Sequence, residues 1–330
     1  MQNTQQPSSP AQPPSRSVQR VAVIERLREA GILAILLLGA VAFSFTVPSF
    51  FSVDNAINGI GLSAAINTIV AIGLTYVIIT GGIDLSVGST AALSAVIGAD
   101  LMGRGLPVLL AVLVALAVGA VAGLVNGLLV TRVQLAPFIV TLGTMTFYRG
   151  LALSYTNGQP ILSLPDSYKA ALGGTFLGLP IPLIAALALV AVFTLILRFS
   201  KTGQYILAIG GNAEAVRLSG INVSRYVTLT YVISGVLAAF AALVLIAQLG
   251  AAEPILGNGW ELSAIAASVV GGTSLSGGNG NVVGALLGAL LLSMLQNVLT
   301  LLGVQAFYQL LATGLIIIGA MVIDRYTRGQ

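Results

Sequence analysis

The chain has 330 residues, of which 57% are hydrophobic and only 7% are charged, and its formal net charge is +4. Soluble domains carry about 25% charged residues, so this composition excludes an ordinary soluble protein and indicates a polytopic membrane protein. The sequence has no cysteine and no histidine, which excludes disulfides, thiolate or imidazole metal sites and Ser-His-Asp catalysis. The positive charge is a topological signal of cytoplasmic loops and does not indicate nucleic-acid binding.

The chain begins with a segment, residues 1–29, that is predicted to be a disordered, basic, cytoplasmic N-terminal region. Its first fifteen residues are polar and rich in proline, too poor in apolar side chains to fold. A first apolar run follows from Ala30 to about Val47. Ala40-Val41-Ala42 matches the pattern of a signal-peptidase site, but the charged leader is long and the apolar run continues past it. A retained membrane anchor is therefore favoured over a signal peptide.

Further apolar runs predict an all-α, integral membrane helical bundle of about ten transmembrane segments, forming a single transmembrane domain over residues 30–323. The predicted segments are 30–47, 56–80, 90–102, 106–130, 136–155, 180–197, 226–250, 261–270, 282–302 and 307–323. Residues 156–178 are polar and rich in glycine and proline, and are predicted to be a loop. Residues 198–225 form the longest charged internal connection, and 324–330 form a short charged tail.

The distribution of Lys and Arg predicts that both termini are cytoplasmic. With ten segments and the N-terminus inside, the outer segments hold only Arg104 and Lys169, and Arg149 lies within the fifth segment. The remaining basic residues fall on the inner side: Arg16, Arg20, Arg26, Arg28, Arg132, Arg198, Lys201, Arg217, Arg225, Arg325 and Arg328. This asymmetry is typical of cytoplasmic loops.

The stretch from Asn67 to Ser89, NTIVAIGLTYVIITGGIDLSVGS, is the one around which the rest of the chain is organised. An apolar run breaks at Gly81-Gly82, and Asp84 follows the break. A charge between two apolar segments is costly unless it faces protein or a water-filled cavity, so the stretch predicts a broken or re-entrant helix beside a pathway. The alternative is a short turn in which Asp84 or Ser86 caps the next helix.

A weak internal repeat pairs this break with a second one. Residues 81–88 and 271–278 share the pattern GGxxLSxG, with Ser274 in the place of Asp84. Interrupted helices at corresponding positions of two halves point to a transport site, although so few matches in glycine-rich sequence also arise by chance. The predicted topology puts both breaks on one side, near the inner face. The pathway candidates are Asn67, Thr68, Gly81, Gly82, Asp84, Ser86, Gly271, Gly272 and Ser276.

Arg149 is the other charge within an apolar segment. The predicted topology places it near the outer end of its segment and Asp84 near the inner face, so the two are not expected to pair. We expect Arg149 to reach outward to the interface together with Tyr148.

Within the 198–225 connection, Asn212 is positioned to cap a short helix that carries Glu214 and Arg217 and ends at Gly220. A helix of two turns is not stable alone in water, so it needs a partner surface, as docking on a cytoplasmic subunit would provide. The alternative is an ordinary solvated loop helix. The candidates for this contact are Gly211, Asn212, Glu214, Arg217 and Gly220.

The sequence encodes no nucleotide-binding loop, because the pattern GxxxxGK[ST] requires a lysine after glycine. The two lysines follow Tyr168 and Ser200. If ATP drives this protein, another chain binds it, and no cofactor is expected.

Four stretches carry a resemblance to a known family: residues 67–89, VTLGTMTFYRG (140–150), GGNAEAVRLSGINV (210–223) and SVVGGTSLSGGNGNVVGALLGALLL (268–292). In this order they resemble the membrane permease subunits of bacterial ABC importers for simple sugars, of the ribose/xylose/arabinose/galactose type. The resemblance covers about residues 30–323. It does not carry over which residues contact sugar, because the same GGIDLSVGS stretch serves relatives with different substrates.

The resemblance implies a permease that has no enzymatic activity of its own and moves a monosaccharide across the bacterial inner membrane. It implies a homodimer flanked by cytoplasmic ATPase subunits, supplied by a periplasmic sugar-binding protein, with residues 210–223 docking on the ATPase. Such transport requires alternating access. The alternative is a secondary transporter that uses Asp84 to bind a coupling ion, which interrupted helices favour and the scarcity of other buried ionisable groups disfavours. An intramembrane enzyme is disfavoured because no nucleophile–base pair can be assembled.

Overall fold

A computed structural model describes residues 31, 33–34, 36–45, 47, 49–305, 307–311, 314–315 and 318–319. The predicted N-terminal region, the charged tail and most of the last predicted segment lie outside the described residues. The described elements, in chain order, are α1 (Leu36–Phe45), a π-helical turn (Asn55–Gly61) leading into α2 (Leu62–Ile79), α3 (Val87–Gly103), α4 (Val108–Thr131), α5 (Pro137–Thr156), α6 (Asp166–Gly173), β1 (Thr175–Phe176), β2 (Leu179–Pro180), α7 (Ile181–Phe199), α8 (Lys201–Leu218), α9 (Val223–Leu249), α10 (Trp260–Val270) and α11 (Val282–Leu301).

The described chain is built from helices, as the composition predicts, and the two strands form only a short antiparallel hairpin. Five helical stretches are long and apolar enough to cross a membrane: Asn55–Ile79, Val108–Thr131, Ile181–Phe199, Val223–Leu249 and Val282–Leu301. Helices α1, α3 and α10 are apolar but shorter. The two predicted breaks are present, because the backbone is not helical between α2 and α3 or between α10 and α11.

The core lies around α2 and α9. Helix α2 is buried along nearly its whole length, and α9 packs against α2, α3 and α4. By contrast, α4 and α7 expose many apolar side chains on one side, as expected for helices that face lipid. The sequence sets the helix ends locally: Pro137 opens α5, Asn222 caps α9 through the Arg225 amide, and Gly250 ends α9 with a φ of 70°.

Helices α4 and α9 approach until their backbones touch. A Cβ atom at Gly119 would lie 2.3 Å from the carbonyl oxygen of Gly235, and a Cβ atom at Gly235 would lie 2.1 Å from the carbonyl oxygen of Gly119. One helical turn further on, a Cβ atom at Gly123 would lie 2.1 Å from the carbonyl oxygen of Tyr231. The glycines are therefore required for this contact, which is how small residues join helices in membranes.

Two connections differ from their prediction. The predicted loop at 156–178 contains α6 and the hairpin: Pro165 sets the N-terminus of α6, and the buried Tyr168 hydroxyl donates a hydrogen bond of 2.5 Å to the carbonyl oxygen of Leu243. This contact with α9 fixes a segment whose composition alone indicates a loop. In the 198–225 connection, helix is not confined to a short piece after Asn212, since α8 begins at Lys201, where Ser200 caps it.

Candidate functional site: the two helix breaks and the segment beneath them

The first break begins where α2 ends at Ile79. Gly81 has a φ of 79°, a conformation that glycine adopts without strain. At Gly82 a Cβ atom would lie 2.6 Å from the hydroxyl oxygen of Tyr231, so no larger residue fits there without movement. The chain then turns back into the bundle and enters α3 at Val87, three residues earlier than predicted.

Asp84 lies in this break and is 1% exposed. One carboxylate oxygen accepts hydrogen bonds from the backbone amide of Ser86, at 3.0 Å, and from the Ser86 hydroxyl, at 2.7 Å. The other accepts one from the Ser234 hydroxyl, at 2.8 Å. The Asn126 amide in turn donates to the Ser86 hydroxyl oxygen at 2.8 Å. We refer to Asp84, Ser86, Asn126 and Ser234 as the Asp84 cluster, which joins the start of α3 to α4 and α9.

The Asp84 cluster satisfies a buried carboxylate with hydroxyl and amide donors, and within the described part of the chain no Lys or Arg pairs with it. In all three hydrogen bonds Asp84 is the acceptor. The interpretation that Asp84 or Ser86 caps α3 is confirmed only in that Asp84 accepts a backbone hydrogen bond at the start of the helix. The amide that Asp84 accepts from belongs to Ser86, the residue before α3, and the Ser86 side chain makes no capping hydrogen bond.

The expected depth of Asp84 is wrong. Its partner Ser234 is the twelfth of the 27 residues of α9, so Asp84 lies beside the middle of a membrane-spanning helix and not near one face. The reason is that a non-helical backbone can advance about 3.3 Å per residue, against 1.5 Å in a helix. The few residues after Ile79 therefore carry Asp84 back to the middle of the bundle.

The second break repeats part of this geometry. The hydroxyl oxygen of Ser274 accepts a hydrogen bond from the backbone amide of Ser276 at 3.2 Å, as Asp84 accepts one from Ser86. Gly271 packs directly on α11, because a Cβ atom there would lie 2.3 Å from the carbonyl oxygen of Gly284. Gly272 has a φ of 102°. Ser276 itself is exposed. The GGxxLSxG repeat thus corresponds to a shared local turn.

The two breaks touch, as a same-side arrangement predicts. The backbone amide of Gly278 donates a hydrogen bond of 2.9 Å to the carbonyl oxygen of Ile79, the last residue of α2. Asn67 and Thr68, however, are not part of this contact. The Asn67 amide donates to the Ser293 hydroxyl of α11 at 3.1 Å, and Thr68 is buried with no hydrogen-bond partner for its hydroxyl among the described residues.

Arg149 is bound to backbone carbonyls within the protein, so the expectation that it reaches out to the membrane interface is wrong. Its guanidinium donates to the carbonyl oxygens of Pro254, at 2.7 Å, and Leu256, at 2.8 Å. These carbonyls belong to the non-helical segment between α9 and α10, whose polar backbone needs partners within the bundle. As expected, Arg149 does not pair with Asp84.

The end of α8 matches the predicted short helix. Asn212 leaves helical geometry, with φ −160° and ψ 94°, and its side-chain oxygen accepts a hydrogen bond from the Ala215 amide at 2.9 Å. Arg217 forms an ion pair with Glu214 at 2.6 Å, and its guanidinium lowers the pKa of the Glu214 carboxyl. Gly220 ends the segment with a φ of 80°, and Gly211 is exposed with no atom near its Cβ position.

Sequence reasoning missed three residues of this site. Ser234 and Asn126 carry no local signal, since each is an uncharged polar residue flanked mostly by apolar residues in a long helix. The third is Gly210, which lies against both breaks: a Cβ atom there would lie 1.8 Å from the carbonyl oxygen of Ile79 and 2.3 Å from the backbone nitrogen of Gly278. The sequence does not distinguish Gly210 from other glycines, because its role depends on backbone atoms that lie close to it in the folded chain.

Comparison with known proteins shows that the chain is similar to permease components of transport systems. A family profile described as "Branched-chain amino acid transport system / permease component" matches residues 55–322. The chain is 41% identical over 304 residues to a ribose import permease protein of Haemophilus influenzae, covering 91% of this chain and 94% of that protein. It is 44% identical over 280 residues to one of Bacillus subtilis, covering 84% and 87%. It is 35% identical over 296 residues to a D-allose transport system permease protein of Escherichia coli, covering 89% and 91%. No solved structure matches significantly.

Proposed function

Since this chain belongs to the family of permease components of the branched-chain amino acid transport type, we propose that it moves a monosaccharide into the cell as the membrane subunit of an ATP-driven importer. The chain is a sugar permease of the ABC importer type and a multi-pass protein of the bacterial inner membrane. The observation that carries the proposal is that its similarity to sugar permeases extends over nearly the whole of both chains. Ribose is the first sugar to test, because the relatives named for ribose are more similar to the chain than the one named for allose.

We further propose that the protein works as a homodimer with cytoplasmic ATPase subunits and a periplasmic sugar-binding protein. ATP hydrolysis belongs to the ATPase, because this sequence has no phosphate-binding loop. About ten transmembrane segments place both termini in the cytoplasm, the order that the distribution of Lys and Arg supports. Residues 1–29 then form a cytoplasmic segment, 30–323 the permease domain and 324–330 a cytoplasmic tail.

In this proposal the two breaks serve the pathway and the end of α8 serves the ATPase. The breaks place irregular backbone and the Asp84 cluster inside the bundle, where such structure lines or gates a route. The exposed Glu214–Arg217 pair presents charged groups to a partner on the side where the positive-inside rule places them. The ion-coupled alternative is not favoured, because the relatives include an L-arabinose ABC transporter permease protein of Azospirillum brasilense and both carboxylate oxygens of Asp84 already accept hydrogen bonds from the protein.

Uptake of labelled ribose into vesicles tests the proposal. We expect uptake when the permease is reconstituted with the ATPase, the binding protein and internal ATP, and none when the ATPase is omitted. Vesicles with a sodium or proton gradient but no ATPase form the matched control. Gradient-driven uptake by the permease alone would refute the ATP-driven mechanism. ATP-driven uptake of a different sugar would refute only the choice of ribose.

A further inference from the structure

The contact between Gly210 and the two breaks joins three segments that are far apart in sequence. The backbone amide of Gly278 donates to the carbonyl oxygen of Ile79, and Gly210 lies against both of these atoms with no room for a methyl group. Gly277 completes the contact, since a Cβ atom there would lie 3.1 Å from the carbonyl oxygen of Gly210 and 3.1 Å from the backbone nitrogen of Gly81. We refer to Ile79, Gly210, Gly277 and Gly278 as the glycine junction.

The glycine junction is close in sequence to the segment proposed to dock on the ATPase. Gly210 precedes by two residues the kink at Asn212, where α8 divides into a longer part packed in the bundle and a short exposed part. A force on the short part, residues 213–218, reaches Gly210 through two residues, Asn212 at the kink and Gly211, which has open space at its Cβ position. Contacts between backbones do not yield as flexible side chains do, because close-packed interiors transmit displacement.

From this geometry we infer that the glycine junction is the mechanical link between the ATPase-docking segment and both helix breaks, with Gly210 and Gly278 as positioning residues. The inference rests on the proposed function and adds to it a specific route. Movement at residues 213–218 shifts Gly210, and Gly210 shifts the end of α2 and the second break together. Coupling through a direct contact needs no chain of intermediate side chains, and it makes the two breaks move as a pair.

The test is Gly210→Ala, which adds one methyl group at the tightest point. Gly143→Ala is the matched control, because Gly143 is also a helical glycine, in α5, and has no atom within 4 Å of its Cβ position. In vesicles with the ATPase and binding protein, we expect Gly210→Ala to keep co-purifying with the ATPase while transporting about tenfold less sugar per ATP hydrolysed. Gly143→Ala should keep the wild-type ratio. A wild-type ratio in Gly210→Ala would overturn the inference.

Hydrogen exchange on the wild-type complex covers the case in which Gly210→Ala does not fold. When nucleotide binds the ATPase, exchange in peptides covering 79–82 and 277–280 should change together with exchange in 213–218. A change confined to 213–218 would overturn the inference. Failure of the proposed function is distinguishable, because it would appear as absence of ATP-driven uptake by the wild-type complex itself.

Discussion

Replacement of Ser234 by alanine isolates one hydrogen bond of the Asp84 cluster. The substitution removes the donor to one carboxylate oxygen of Asp84 and leaves that oxygen without a donor among the described residues. Hydrogen bonds to charged groups contribute about 1.5–3 kcal/mol, whereas hydrogen bonds measured between helices in a membrane contribute at most about 1.7 kcal/mol. The two ranges meet near 1.5 kcal/mol, so we expect Ser234→Ala to lower the free energy of unfolding by about that amount, or about tenfold in the folding equilibrium.

The measurement is unfolding of the purified chain in detergent micelles titrated with sodium dodecyl sulfate. Ser94→Ala is the matched control: Ser94 is also buried, but its hydroxyl has no hydrogen-bond partner within the described part of the chain. Removing an unsatisfied hydroxyl is neutral or stabilising, so the two serine variants should shift the midpoint differently. Equal stability of Ser234→Ala and Ser94→Ala would refute the reasoning that Asp84 is held by this bond.

Three further predictions concern sugar uptake, contact with the ATPase and nucleotide binding. Asp84→Asn should reduce uptake with near-normal abundance, because its amide group forces Ser234 to change from donor to acceptor; intact transport would return Asp84 to a capping role, and lost abundance would make it structural. Glu214→Arg or Gly220→Trp should weaken co-purification of the ATPase or uncouple its sugar-stimulated hydrolysis, without changing the affinity of the binding protein for sugar; wild-type complexes and coupling in both would remove residues 210–223 from the docking role. The purified chain should bind no ATP in equilibrium dialysis, and stoichiometric binding would contradict the division of labour between chains.

The sequence identified Asp84 and the breaks because each violates a local rule. A charge and a Gly-Gly pair inside apolar runs stand out without any knowledge of the fold. Ser234 and Asn126 are ordinary residues for their helices. Ser234 contacts Asp84 across 150 residues of sequence, and Asn126 contacts Ser86 across 40. The depth of Asp84 also depends on where an irregular backbone leads, which composition does not determine.

The same distinction applies to the fold. Apolar length predicted the long helices, and Asn212 and Gly220 predicted the ends of the short helix correctly. The segment containing α6 was missed because its order comes from Tyr168 packing under α9, a tertiary contact that overrides local composition. The partners of Arg149 were missed for a related reason, since they are backbone carbonyls of a distant segment that no side-chain pattern marks.

The backbone contact between α4 and α9 has a consequence for biosynthesis. Gly119 and Gly235 meet across about a hundred residues of intervening chain, and synthesis at about 5–20 residues per second takes several seconds to cover that distance. During this interval α4 is already made and its partner does not exist, so its glycine face is occupied by lipid or by another helix. The final packing of α4 therefore requires displacement of an earlier neighbour once α9 has been made.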